Sequence, residues 1–288
     1  CSSSAPCNVH WYVYICVCNN FNTVRFNFPI KSPKTGCGRL PDKNLFIVLE
    51  FMEQGDLDTM IERSDVDFPW SDRVCILGDV AEGMTFLHDT HDSIHRDLKS
   101  GNVLLSKENG ILRGKIGDFG MSKFLSNQNT KNWADDNSTR EADVHRSMTN
   151  GLGTPSNMAP EIWCNTIKKI KLPITKKVDV YAYGVIMFEV SHRMKAWKGV
   201  NFTHIIQKSV IAGNRPRCSV DEDDGQVSSK IEDDGQVSSK IEDDGKPKGF
   251  DVLIEKCWHQ DMKSRPNFRD IWSYFKKEDA CQSRMYTH

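Results

Sequence analysis

The chain has 288 residues, 38% of them hydrophobic and 27% charged, enough for one large domain or two small ones packed together. Its 38 Lys and Arg nearly balance 39 Asp and Glu, so the net charge of −1 provides no basic field for nucleic acid or anionic lipid. No apolar run approaches the roughly 18 residues of a membrane span, and the most apolar early stretch, Trp11 to Cys18, lacks the flanks of a signal peptide.

Residues 1–44 read as irregular. Ser, Asn, Pro and Lys punctuate short strand-like pieces, and Pro29, Pro33 and Pro41 oppose helices there. Leu45 to Phe51 (LFIVLEF) reads as a buried strand. Gln54-Gly55-Asp56 opens a turn, and Leu57 to Arg63 has helical spacing. Arg73 to His88 is an amphipathic helix with Val74, Leu77, Val80, Ala81, Met84 and Leu87 on one stripe. Val103 to Ser106 and Leu112 to Ile116 form short strands around an Asn109-Gly110 hairpin turn. Residues 125–150 are polar and loop-like. Val178 to Val190 is apolar nearly all round, which predicts a buried helix, and 251–277 holds two more helical patterns.

The ten cysteines are scattered and form no pair of CxxC clusters, so a zinc site is not expected. Cys16 and Cys18 are read as alternating strand residues. A chain this rich in core residues has no need of disulfides, and reduced cytoplasmic thiols are expected. EDDGQVSSKI occurs at 222–231 and again at 232–241, followed by EDDG. This ten-residue unit offers only Val and Ile, too little for a solenoid, and reads as a solvated acidic insertion.

The chemistry-bearing residues lie at the centre. His95-Arg96-Asp97-Leu98-Lys99-Ser100-Gly101-Asn102 is followed sixteen residues after Asn102 by Asp118-Phe119-Gly120, and then by Ala159-Pro160-Glu161. In order and spacing these resemble the catalytic loop, metal-binding triplet and activation-segment end of eukaryotic protein kinases. Phosphoryl transfer asks the protein for positioning and charge neutralisation. The resemblance implies that Asp97 accepts the substrate hydroxyl proton, Lys99 steadies the transferred group, and Asn102 completes the loop. Asn102 and Asp118 would hold Mg²⁺ through hard oxygens. Leu49 falls at the gatekeeper position, Glu50 and Met52 at the adenine-binding hinge, Asp56 just beyond, and Leu104 beneath the ring. Lys99-Ser100, with HRDLKSGN as a whole, is similar to Ser/Thr kinases of the tyrosine-kinase-like group. Asp179 matches the acid that holds the catalytic-loop backbone, and Glu161 and Arg265 match a buried ion pair. Ser156-Asn157 stands where the substrate-docking loop usually carries an aromatic pair. Thr139, Ser147 and Thr149 are candidate phosphorylation sites that would pair with Arg96 once phosphorylated.

The pattern departs from the family before the hinge. No Gly-x-Gly-x-x-Gly or V-A-I-K segment occurs, the first Glu is Glu50, and the only preceding lysines are Lys31, Lys34 and Lys43. The resemblance implies an α+β, bilobal protein-kinase-like fold with a mainly helical C-lobe and a partial antiparallel N-lobe. The expected organisation is a degenerate or partial N-lobe over 1–44, the kinase domain over 45–277 with the acidic insertion at 218–249, and a tail at 278–288. The expected function is ATP- and Mg²⁺-dependent phosphorylation of protein Ser/Thr hydroxyls in the cytoplasm, without nucleic-acid or membrane partners. The alternative is an inactive pseudokinase scaffold that binds partner proteins.

Overall fold

The computed structural model describes residues 11–17, 20–26, 36–39, 45–48, 50–125, 153–168, 172–217 and 245–277, the first four segments as backbone alone. The chain divides into two compact units, Cys1–Glu53 and Gln54–His288. The activation-segment candidates Thr139, Ser147 and Thr149, the acidic repeat and the tail lie outside the described residues, as does Leu49.

Among the described residues, the first unit holds two antiparallel pairs. β1 (Trp11–Val17) pairs with β2 (Asn20–Phe26), Val17 facing Asn20 and Trp11 facing Phe26. The aromatic and β-branched run WYVYICV suits a pleated surface. β3 (Gly36–Arg39) pairs with β4 (Leu45–Val48). The region read as irregular thus contains three strands, and the strand expected through Phe51 closes at Val48.

The second unit is mainly helical. Asp56 caps α1 (Leu57–Glu62), its Oδ1 accepting from the Thr59 N–H at 2.8 Å, and Leu57, Met60 and Ile61 turn into the core. α2 (Trp70–Thr85) starts three residues before the expected position, directly after Pro69, which has an extended backbone. Val74, Leu77, Val80, Ala81 and Met84 are all buried, as their spacing requires. The α-helix stops short of His88: residues Phe86–Thr90 form a wider π-helical turn, and the His88 carbonyl accepts from Lys176 Nζ instead of from a helix N–H.

A two-strand link, β5 (Ser93–Ile94) with β8 (Lys123–Phe124), brackets the central hairpin of β6 (Val103–Glu108) and β7 (Ile111–Ile116). Asn109 and Gly110 both have positive φ, 52° and 83°, the backbone of a type I′ turn, and the register runs from Glu108–Ile111 to Val103–Ile116. Arg113 forks onto Asp79 at 2.6 and 2.8 Å, fixing the hairpin to α2, while burial pushes the Asp79 carboxyl up to about 6.

α3 (Pro160–Lys168), α4 (Lys177–His192), α5 (Thr203–Ile211), α6 (Phe250–Cys257) and α7 (Phe268–Lys277) complete the unit. Every residue of α4 from Val178 to Val190 is buried, so this helix is the axis of the core. α7 is amphipathic, burying Phe268, Ile271 and Phe275. Gly184 is where α4 meets the end of α6. A Cβ there would lie 3.0 Å from Cys257 Cβ and 3.1 Å from the Trp258 nitrogen. Gly184→Ala is therefore expected to lower unfolding free energy by about 1–3 kcal/mol through overpacking. A urea midpoint equal to the parent's would show that the two helices separate there without cost.

Candidate active site

The hairpin register explains how residues sixteen positions apart meet. Val103 faces Ile116, and one step further the Gly117 N–H donates to the Asn102 carbonyl at 2.8 Å. The end of the HRDLKSGN loop and the start of the Asp118-Phe119-Gly120 triplet are joined through that bond. His95 adds a second tie: it is fully buried, and its Nε2 lies 3.1 Å from the Gly117 carbonyl.

The loop is suspended from α4. Asp179, 1% exposed, accepts from the backbone N–H of His95 at 2.8 Å and of Arg96 at 2.9 Å. His88 Nε2, from the wide turn after α2, lies 2.8 Å from the same carboxylate. Arg96 has φ of +73°, a conformation a non-glycine residue holds only when its surroundings impose it. The Asp179 fork is that imposition. Asp179 therefore takes the structural position expected of it.

Asp97, Lys99 and Asn102 converge. Asn102 Nδ2 donates to the Asp97 carbonyl at 2.8 Å and reaches Asp97 Oδ2 at 3.3 Å. Lys99 Nζ sits 3.0 Å from the same Oδ2. The other oxygen, Oδ1, accepts from both the N–H and the hydroxyl of Thr154, each at 3.0 Å. Lys99 Nζ also contacts Thr154 Oγ1 at 3.0 Å. Thr154 is a site residue that sequence reading passed over. Its signal was available, since it follows Gly153 and lies just before Ser156-Asn157, the pair at the docking-loop position. Gly153 has φ of +93°, and a Cβ would lie 3.1 Å from the Arg96 carbonyl. Only glycine lets this segment lie directly on the catalytic loop.

Asp118 is exposed and adopts a left-handed backbone, φ 55° and ψ 72°, with Oδ1 accepting from the Gly120 N–H at 3.2 Å. Because Asn102 spends its Nδ2 on Asp97, its amide oxygen remains as the donor atom for a hard cation. One amide oxygen and one exposed carboxylate fit Mg²⁺, which keeps most of its waters. Among the described residues, no group of three or more His, Cys, Asp or Glu is placed to hold a metal by itself.

The nucleotide-binding candidates divide between the units. Glu50, which is exposed, and Met52, which is buried, belong to the first. Asp56 and Leu104 belong to the second, joined by an antiparallel bridge, and Leu104 Cδ1 packs over Gly117. Asp56 is already engaged as the cap of α1. The Glu161–Arg265 pair is present and fully desolvated: Nη1 meets Oε1 at 2.7 Å and Nη2 meets Oε2 at 2.9 Å. Ser156 Oγ donates to Asn157 Oδ1 at 2.7 Å, and Asn157 is buried.

A family model for the protein kinase domain matches residues 30–274. "Probable serine/threonine-protein kinase pats1" of Dictyostelium discoideum is 32% identical over 230 residues, 79% of this chain and 6% of the relative. The "RGS domain-containing serine/threonine-protein kinase A" of the same organism is 30% identical over 241 residues, 84% of this chain and 17% of the relative. "Probable serine/threonine-protein kinase SIS8" of Arabidopsis thaliana is 29% identical over 236 residues, 81% of this chain and 18% of the relative. The chain thus spans less than a fifth of the length of each of these relatives. With its mainly helical second unit, small antiparallel sheets and α+β composition, the chain belongs to the protein kinase domain family.

Proposed function

We propose that this chain transfers the γ-phosphoryl group of ATP to Ser and Thr hydroxyls of protein substrates, as a member of the tyrosine-kinase-like group. The observation that carries this is the Asp97–Lys99–Asn102–Thr154 network, in which one carboxylate is aimed by donors from two chain segments. ATP and Mg²⁺, when bound, supply the transferable phosphoryl group and neutralise its charge. Asp97 orients the attacking hydroxyl and accepts its proton. A carboxylate has about four lone-pair positions, and here they are taken by Lys99, Asn102 and Thr154. A substrate hydroxyl enters by displacing a flexible donor, and Lys99 then turns to the transferring group. Asn102 and Asp118 hold the metal, while Leu49, Glu50, Met52, Asp56 and Leu104 take the nucleotide.

The Ser/Thr assignment rests on Lys99 following Asp97 by two residues, and the group assignment on HRDLKSGN. We further propose that residues 1–44 are a degenerate or partial N-lobe, that 45–277 is the kinase domain with an acidic insertion at 218–249, and that 278–288 is a tail. Cytoplasmic location is proposed on the free thiols of Cys75, Cys164 and Cys257. Protein substrates, not nucleic acid or membrane, are the proposed partners.

The test incubates the full chain with labelled Mg-ATP and a generic protein substrate, followed by phosphoamino-acid analysis and a thermal shift. Phosphoserine and phosphothreonine, with a midpoint raised by Mg-ATP, are the expected results. The absence of both transfer and shift would sink the kinase reading and leave the alternative, a scaffold that binds partner proteins.

A further inference from the structure

Ser100 opens the short turn that follows Lys99 and carries Asn102, and it is 2% exposed. Its hydroxyl oxygen lies 2.5 Å from Asp58 Oδ1 and 2.8 Å from Glu189 Oε2. Asp58 belongs to α1, and Glu189, 3% exposed, to the end of α4. The second Glu189 oxygen, Oε1, accepts from the Ala196 N–H at 3.0 Å. Asp58 Oδ1 is also ion-paired with Lys195 Nζ, and both side chains are about one-third exposed.

One hydroxyl carries one proton. It cannot donate to two ionised carboxylates together. The second contact would set lone pair against lone pair in a buried place, where an unsatisfied polar contact is costly. Asp58 faces an ammonium group and solvent, so it is the ionised acceptor. Glu189 has Ser100 and Ala196 as its hydrogen-bond partners, neither of them a cation. Burial is the largest influence and moves its carboxyl pKa upward; hydrogen bonds from Ala196 and Ser100 oppose this, and Glu62 on α1 adds like charge. The other charged neighbours are committed elsewhere. Arg193 donates to the Met60 and Val66 carbonyls, Arg73 of α2 to those of Phe68 and Ser191. Cys257 of α6 packs by Gly184, away from this end of α4.

We propose that Glu189 stands as a neutral carboxylic acid donating its proton to Ser100 Oγ, and that the relay Glu189–Ser100–Asp58–Lys195 holds the turn between Lys99 and Asn102. Ser100 and Glu189 are positioning residues. The proton on Glu189 stands apart from any catalytic reading; only its consequence for Lys99 and Asn102 rests on the phosphoryl-transfer role proposed above. The folded pKa of Glu189 lies above its unfolded value. The relay is therefore intact below the unfolded pKa and is lost as pH rises through the folded one.

The test is a carboxyl ¹³C NMR titration of the full chain labelled at glutamate. One signal, absent in Glu189→Gln, is expected to keep its protonated shift well above the pH where the other glutamates ionise. Ser100→Ala is expected to lower that midpoint, because the neutral acid loses its acceptor. A hydroxyl donating to an ionised Glu189 predicts the opposite shift. Amide exchange at Asn102 and Val103, relative to Glu189→Gln, should rise several-fold as pH crosses the midpoint. Glu189 ionising together with the other glutamates, or a midpoint raised in Ser100→Ala, overturns the proton assignment. Parallel exchange in parent and Glu189→Gln overturns the positioning role. The parent titration decides the first point even if Ser100→Ala does not fold, and none of these readouts requires turnover.

Discussion

Asp97→Asn is expected to lower phosphoryl transfer by about 10²–10⁴-fold, the range for removal of a positioned general base and equivalent to about 3–5 kcal/mol of barrier. Two effects act together. The amide cannot accept the substrate proton. It also turns an NH₂ group toward one pair of donors, either Lys99 Nζ with Asn102 Nδ2 or the N–H and hydroxyl of Thr154. The carboxylate is 12% exposed and sits at the rim of the unit's core, so folding should survive, with a thermal midpoint within about 4 °C of the parent. The measurement is initial rate against substrate concentration, with melting curves as control. A variant that folds and retains a tenth or more of the parent rate would show that Asp97 is not the acceptor.

Arg265→Met is expected to lower unfolding free energy by about 3–5 kcal/mol. Arg265 is 2% exposed and Glu161 3%. The guanidinium forks onto Glu161 and also donates to the backbone carbonyls of His259 at 2.8 Å and Lys177 at 2.9 Å. Removing it leaves a buried carboxylate unpaired and takes one donor from each of two backbone carbonyls. The companion double variant Glu161→Leu, Arg265→Met removes both charges and is expected to recover most of the loss, since desolvation rather than attraction dominates such pairs. Denaturant unfolding of the three proteins checks this. A single variant within about 1 kcal/mol of the parent would mean that solvent reaches the pair.

Short-range features of the second unit were legible because local chemistry and tertiary demand agree. Asn109-Gly110 specifies a type I′ turn whatever surrounds it, and the flanking strands then set Asn102 opposite Gly117. The stripe from Val74 to Met84 and the all-round apolarity of 178–190 mark a half-buried and a central helix by periodicity alone. The strands of the first unit were harder to read. Pro and Asn interrupt short runs there, so the local signal is weak even though each strand pairs with its neighbour in sequence, Val17 with Asn20 and Arg39 with Leu45. The early end of α2 was hidden for a different reason, because the Lys176 that takes the His88 carbonyl lies far along the chain.

The sequence by itself determined the family, through three motifs in register whose residue types suit the proposed phosphoryl transfer: an acid, a cation and two hard oxygens. It also determined the helical scaffold of the second unit, because amphipathic periodicity is a local property. Only the tertiary structure decided who holds these groups. Thr154 on Asp97, His88 on Asp179, and Asp58 and Glu189 on Ser100 are contacts between segments separated by tens of residues. A lone Thr or Glu carries no mark of such a partner. Its role arises when burial removes water and the nearest polar group must satisfy the bond that water would have made.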